Sequence, residues 1–366
     1  MKLMKLVKKS MLGIFALGML LALVACGNDN DSGAGTAEDG STIVSEASED
    51  ETTTVEEPVS DEPIVIVLYP NESGSEFAAV HDDLERLIYE ATGRPGQVML
   101  TVDYNIAIEA IANGTADLAF MGPTGYIIAS NQNPNVRGMF VSSGPSGTLE
   151  DAVYYSFLAV REEDGHLWED GQGGYDLSGL EGESMSFVAL TSTSGFVVPA
   201  IGLDGLGFLP EGVIAEDHFG IAGPFFSEVM MGESHQGSAF NLLTNQTNVA
   251  AFFNMESVFE HHDGPINEAG MVYAVRADAE APLDSVQGEL MRIIMSISVP
   301  NAPFVANFDT LTEDEVEAIV DMFTSDAVTY NENFFSPDQD RVTGFTTRTD
   351  QERYLRVPDG FFDDLR

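Results

Sequence analysis

Ile64-Val65-Ile66-Val67-Leu68 is an unbroken apolar run, and a strand of that kind is stable only where both faces of its sheet are covered. After it, Phe77, Val80, Leu84, Leu87 and Ile88 recur at helical spacing, with Ser75 placed to cap the start and Gly93 to stop the end. A strand at residues 98–102, a helix at 106–112 closed by Asn113-Gly114, a strand at 117–121 and a helix from about Thr124 continue the alternation. This βαβαβα order predicts a parallel, helix-covered sheet. A second group follows, with strands at 154–160, 185–190 and 249–253 and helices after Ser194 and at 238–243. A return strand at 271–276 and helices at about 286–298 and 313–323 complete the pattern. The expected architecture is α/β in two lobes joined by two crossings, near residues 150–157 and 264–272. Residues 63–155 and 265–366 form the first lobe and 156–264 the second, with a ligand cleft between them.

Residues 1–25 read as a secretory signal. Lys2, Lys5, Lys8 and Lys9 form a positive n-region, and residues 11–24 form an apolar stretch too short for a comfortable membrane span. Small residues then lead to Cys26, the only cysteine, so no disulfide within the chain is possible. Leu23-Val24-Ala25-Cys26 resembles the lipobox of bacterial lipoproteins, which implies acylation of the thiol and cleavage that leaves Cys26 first. The expected address is extracytoplasmic, lipid-anchored to the outer face of the cell membrane. From residue 27 to 62 the chain has twelve acidic residues, no basic ones and many Ser, Thr and Gly. Such a stretch buries too little apolar surface to fold, so 26–62 reads as a disordered tether.

Cleavage after residue 25 leaves 11 Arg, no Lys and 60 Asp and Glu, a formal charge of −49 against −45 for the whole chain. That excess argues against nucleic acid as a partner, and against any membrane contact beyond the lipid itself. It reads as adaptation to high salt, which screens self-repulsion, or to high pH, where lysine loses its charge.

The sharpest chemical signal is Ser192-Thr193-Ser194-Gly195, set between the strand at 185–190 and the helix expected from about Phe196. Small hydroxyl residues suit a helix cap, and Gly195 lets the backbone approach a ligand, so the first free N–H groups make an anion site. Thr101-Val102-Asp103-Tyr104 ends the second strand and Gly122-Pro123-Thr124-Gly125-Tyr126 the third. Ligands of open α/β sheets gather beyond the carboxyl ends of strands, which places the hydroxyls of Tyr104, Thr124 and Tyr126. Ser234-His235 precedes the next expected helix, and Asn254 follows the strand at 249–253. His235 is the one candidate cation of the set.

In order and spacing these pieces resemble the phosphate, phosphite and phosphonate binding proteins of bacterial ABC importers, which have the type-II periplasmic-binding-protein fold. Ala107 to Gly114 with Ala116-Asp117, and Pro199 after the Ser-Thr-Ser turn, belong to the same resemblance, which runs from about Ile64 to Arg292. It implies that Ser192, Thr193 and Ser194 grip ligand oxygens and that Tyr104, Tyr126 and His235 complete the cage. Asn254 stands where the family usually carries an aspartate. Members that hold aminophosphonates use carboxylates for the amine, so Asn254 points to a ligand without one. A cognate permease and ATPase are implied, with no cofactor, no metal and no catalysis, and the chain is expected to act as a monomer. Nothing in the resemblance accounts for residues 301–366, including Phe334-Phe335 and Phe361-Phe362.

Other classes fit less of the chain. A hydrolase would pair Ser194 with His235, but no Gly-x-Ser-x-Gly elbow surrounds the serine. A metal receptor would draw on His218, His235, His261 and His262, which show no ligand spacing. A sensory receptor of the same fold shares every motif with a transporter component. The anchor itself is testable: Cys26→Ser is expected to release the protein into the soluble fraction without changing ligand affinity, and equal membrane retention of mutant and wild type in a fractionation assay would defeat the lipoprotein reading.

Overall fold

The structure, a computed structural model, describes residues 61–337, 345–358 and 360–365. The signal, Cys26 and all but the last two residues of the acidic tether lie outside the described residues. Among the described residues no helix is long and apolar enough to cross a membrane.

The first lobe opens with β1 (Ile64–Leu68), β2 (Gly96–Leu100), β3 (Leu118–Phe120) and β4 (Val136–Ser142). Helices α1 (Ala78–Thr92), α2 (Tyr104–Asn113) and α3 (Pro123–Gln132) connect them. β1 pairs in parallel with β2 and β3. Val80, Leu84, Leu87 and Ile88 are the buried stripe of α1, which ends on Gly93 with φ 76°, a left-handed position that glycine adopts at no steric cost. Asp103 caps α2 by accepting from the Asn105 N–H at 2.6 Å, which makes Tyr104 the first residue of a helix rather than the end of a strand.

The second lobe holds β5 (Val153–Arg161), β6 (Ser184–Phe187), β7 (Glu228–Met231), β8 (Val249–Phe253), β9 (Phe259–Asp263), β10 (Val272–Val275) and β11 (Leu290–Pro300). They lie in the order β7-β6-β8-β5-β11-β10-β9. Helices α4 (Val198–Gly205), α5 (Ala215–Phe219) and α6 (His235–Leu243) accompany them. Here the structure corrects two expectations. Residues 290–300 are a strand instead of part of a helix, and β10 and β11 belong to the second sheet, so the return to the first lobe comes at residues 301–303 and not at 265. Leu290, Ile293, Ile294 and Ile297 satisfy a helical period. The β-branched side chains of Ile293, Ile294 and Ile297 and pairing along the whole of β5, from Met291 opposite Arg161 to Pro300 opposite Val153, decide for the strand.

The chain then completes the first lobe with β12 (Phe304–Asn307), α7 (Glu313–Phe323), α8 (Asp326–Thr329), β13 (Phe335–Ser336), β14 (Thr346–Thr347) and β15 (Tyr354–Arg356). The first sheet reads β15-β4-β12-β3-β1-β2, so β12 is an interior strand, antiparallel to both β3 and β4. This explains the aromatic residues that motif reading left aside. Phe140, Phe304, Phe323, Phe334, Phe335 and Tyr354 fill one core, and Phe362 packs on Tyr126 at 5.4 Å. The two crossings, residues 143–152 and 301–303, are tied where Asn301 donates to the Ala152 carbonyl at 2.9 Å and to the Ser142 carbonyl at 2.7 Å. Ser143 in turn bonds Arg353, so the C-terminal segment braces the hinge. With Phe334 wholly buried, Phe334→Ala is expected to destabilise the protein by about 3–5 kcal/mol, read from urea denaturation midpoints. A shift below about 1 kcal/mol would show that this segment is not part of the core.

Candidate functional site

A cleft of about 830 Å³ lies between the lobes. Its inner wall collects Tyr69, Asn71 and Glu72 from the turn after β1, Tyr104 from the start of α2, Gly122 before α3, Tyr154 and Tyr155 from β5, Ser192, Thr193 and Ser194, His235 from the start of α6, and Asn254 after β8. Of the residues singled out in the sequence, Tyr104, Ser192, Thr193, Ser194, His235 and Asn254 are thus brought together. Three are not. Gly195 is buried behind the turn, where a Cβ would meet Val188 Cγ2 at 2.3 Å, so its role is to let the turn pack. The Thr124 side chain is outside the lining, and its backbone N–H instead donates to Thr193 Oγ1 at 2.9 Å. On α3 it is Gly125 that faces the cleft residue Tyr69, whose hydroxyl a Cβ there would meet at 2.0 Å, and Tyr126, one helical step of about 100° on, turns its ring into the first lobe against Phe362.

The Ser-Thr-Ser segment is a π-turn, Thr193–Val197, leading directly into α4. Ser192 Oγ accepts from the Gly195 N–H at 3.1 Å, and the Ser192 carbonyl accepts from Phe196 and Val197. The N–H groups of Thr193 and Ser194 make no hydrogen bond to any described residue and remain as donors at the mouth of the turn. π-turns cluster at functional sites because the widened loop exposes backbone groups that an α-turn would use. Behind it, the Ser156 hydroxyl donates to the Ser194 carbonyl at 2.7 Å, and the Tyr154 hydroxyl meets the Ser194 and Thr193 side chains.

Across the cleft, Asn71 is the principal cross-link. Its Nδ2 donates to the Tyr104 hydroxyl at 2.7 Å, its Oδ1 accepts from the His235 backbone N–H at 3.2 Å, and its carbonyl accepts from Gln236 Nε2 at 3.0 Å. Tyr69 stacks on Tyr104 with ring centroids 4.0 Å apart. Thr193 Oγ1 would lie 2.7 Å from a Cβ at Gly122, so only glycine there permits the lobes to meet this closely. Asn71, Glu72, Tyr69 and Tyr154 were not singled out in the sequence. The rule applied to the second and third strands, that ligands gather beyond carboxyl ends, reaches the first strand equally and finds Tyr69-Pro70-Asn71-Glu72.

Electrostatically the inner wall around the Thr193 turn is poor in formal charge, while the carboxylates Asp151, Glu256, Glu260 and Glu352 line the cleft further out. Burial lowers the His235 pKa to about 3. Its Nδ1 accepts from the Phe253 N–H at 3.2 Å, which fixes the neutral tautomer with the proton on Nε2 and corrects the expectation of a cation. Desolvation raises the Tyr69 and Tyr104 pKa values well above ordinary and that of Tyr154 to about 12, so all three stay protonated. Arg276, the one arginine in the lining, pairs with Asp278 at 3.1 Å. Glu72 is buried, its Oε2 has no partner, and desolvation raises its pKa to about 8. Asn254 Oδ1 accepts from the Tyr155 N–H at 2.8 Å, so its side chain can offer only its amide hydrogens to the cleft. Past Asn254 the cleft widens along Glu256, Ser257, Thr347, Glu352 and Tyr354. Among the described residues no three His, Cys, Asp or Glu side chains gather as they would around a metal ion.

An inner wall of hydroxyls and helix-start N–H groups on two hinged lobes defines a solute-binding protein for small oxyanions. The chain belongs to the family of periplasmic substrate-binding proteins of phosphonate ABC transporters, whose model matches residues 66–352. The phosphate-import protein PhnD of Mycolicibacterium smegmatis is 25% identical over 285 residues, 77% of this chain and 78% of that protein. The fold is shared with a binding protein component of a phosphonate ABC transporter from Pseudomonas aeruginosa, at a TM-score of 0.58 and 16% identity over 83% of this chain and 84% of that one. It is shared also with PhnD1 of Prochlorococcus marinus in complex with methylphosphonate, at a TM-score of 0.55 and 10% identity over 84% and 96% of the two chains.

Because the folded His235 pKa is about 3 while the unfolded value is near the ordinary 6.5, the unfolded chain binds the extra proton between those limits. The stability contributed by neutral His235 is complete above about pH 6.5 and lost as pH falls toward 3. The expected NMR result is no imidazole titration of His235 above about pH 4, and a midpoint near 6 would contradict the buried, neutral assignment.

Proposed function

We propose that the protein is an extracytoplasmic lipoprotein that captures phosphate, phosphite or a small simple phosphonate and presents it to the permease of an ABC importer. The observation that carries this reading is the pair of unengaged N–H groups on the Thr193–Val197 turn, in a cleft also lined by Tyr104 and Asn254 where, among the described residues, the one arginine is already paired. Ser192, Thr193, Ser194, Tyr104, His235 through Nε2–H, and Asn254 are the proposed ligand donors. Thr124 and Gly195 serve indirectly, the first by joining the lobes and the second by shaping the turn. The relative's name supports phosphate and the structural neighbour's bound ligand supports a small phosphonate. Lobe closure follows from contacts made only when both lobes face the anion.

Asn254 donates to an oxygen but cannot neutralise an ammonium, which favours ligands without an amine. A second reading rests on the wider end of the cleft. There partial desolvation and, after it, the Glu352 carboxylate raise the Glu256 pKa, a setting suited to a cationic substituent. Calorimetry separates the two: phosphate, phosphite or methylphosphonate is expected to bind more tightly than 2-aminoethylphosphonate, and the reverse order would establish the second reading. Thr193→Ala and Tyr104→Phe should each weaken binding about ten- to hundredfold, the loss of one charge-assisted hydrogen bond. Failure of any phosphorus oxyanion to bind would sink the assignment.

A further inference from the structure

We propose that Glu72 is a ligand-selecting residue that enters the closed cleft as a neutral acid and donates its single O–H to an oxygen of the bound anion. The inference rests on the oxyanion reading above and names a donor that no motif supplies. Glu72 follows β1 in the Pro70–Glu72 turn, is 6% exposed, and lines the cleft beside Asn71 and Tyr104. The backbone at Glu72 and Tyr69 and the Asn71 side chain engage the carboxyl from one side, while Oε2 is buried without any partner. A buried polar oxygen left unpaired is uncommon in native proteins and calls for a partner that arrives with the ligand.

Charge decides which way that hydrogen bond runs. Tyr69 and Asn71 from its own turn and Tyr104 from α2 face Glu72, and Tyr154 from β5 and His235 from α6 line the same cleft. From α1, His81 Nε2 lies 2.8 Å from the Glu72 carbonyl oxygen. None is a cation at neutral pH: the tyrosines are held protonated, His235 is neutral, and burial lowers the His81 pKa below its ordinary value. An ionised Glu72 would therefore face the anion with nothing to separate the two charges, whereas the acid form turns the same side chain into a donor. The pKa of about 8 keeps that form dominant at neutral pH. Bound anion holds the proton more firmly still, so above about pH 8 each binding event must draw one proton from solvent.

The consequence is readable by calorimetry with inorganic phosphate or methylphosphonate on the full-length protein. Wild type should lose affinity about five- to tenfold per pH unit above about 8, and at pH 9 should take up close to one proton per ligand, measured in two buffers of different ionisation enthalpy. Glu72→Gln keeps a donor but has no proton to lose, so from pH 6.5 to 9.5 its affinity should change only with the ligand's own titration, without the further alkaline loss of wild type. Glu72→Ala has no donor and should bind about ten- to hundredfold more weakly than wild type at pH 6.5, with circular dichroism confirming that it folds. The inference is overturned if the glutamine variant shows the same alkaline loss as wild type, if the alanine variant binds as tightly as wild type at pH 6.5, or if Glu72→Gln abolishes binding at that pH, which would show that the ionised carboxylate and not a neutral donor is required. Absence of phosphorus-oxyanion binding by wild type at pH 6.5 is a different failure, that of the oxyanion reading itself.

Discussion

Helix starts from two lobes converge on one small volume, and the rest of the molecule is arranged around that convergence. α2 begins at Tyr104 and α3 at Pro123 on the first lobe, while the Thr193 turn and α6, beginning at His235, come from the second. Each start carries the positive end of a helix dipole, and the Thr193 turn adds the N–H groups of Thr193 and Ser194, which no described residue engages. Brought together without an anion these ends repel, so closure needs compensation. Direct bonds supply part of it, from Asn71 to Tyr104 and to His235, and from Thr124 to Thr193. A bound anion would supply the larger part, since it lies at the positive end of all four at once. Preorganised backbone dipoles thereby do what Lys and Arg do elsewhere, in a cleft where the one arginine is occupied with Asp278.

The hinge explains how those ends can separate and return. β5 and β11 run antiparallel over their whole lengths, and the two crossings leave the second lobe side by side where Val153 faces Pro300. Two adjacent crossings restrict the lobes to bending about one line, while the bonds from Asn301 to Ser142 and Ala152 keep the crossings in step. Residues 301–366 serve this geometry twice over. β12 is an interior strand of the first sheet, and the Arg353 to Ser143 contact anchors the crossing itself.

What was legible in the sequence was the part governed by short-range rules. The continuous apolar run of β1, the 3.6-residue stripe of α1 and the hydroxyl-rich turn at Ser192 each announce a local structure through local chemistry. The misses were settled by long-range pairing. Residues 290–300 fit a helix until β5 is available to pair with them, and β12 gives no hint of being interior until it lies between β3 and β4. At the site, Tyr104, Ser192, Thr193, Ser194, His235 and Asn254 meet because strand ends and helix starts coincide there, whereas Tyr126 does not, because helix phase turns it toward Phe362. Protonation was the least legible property. His235 carries an ordinary imidazole in the sequence and a neutral one in the fold, because burial and the Phe253 N–H decide its charge, and neither is a neighbour in the chain.

The acid excess and the oxyanion site place opposite demands on one molecule, and range reconciles them. A formal charge of −45 repels anions over distances set by the Debye length, about 10 Å at 0.1 M salt and about 3 Å at 1 M. Donor contacts to a bound anion act within about 3 Å and behind walls that exclude salt. Raising the salt therefore removes the repulsion that slows approach while leaving the grip intact. A site built on lysine would weaken under the same change, because counterions compete for an exposed ammonium. Neutral donors held on helix starts avoid that competition.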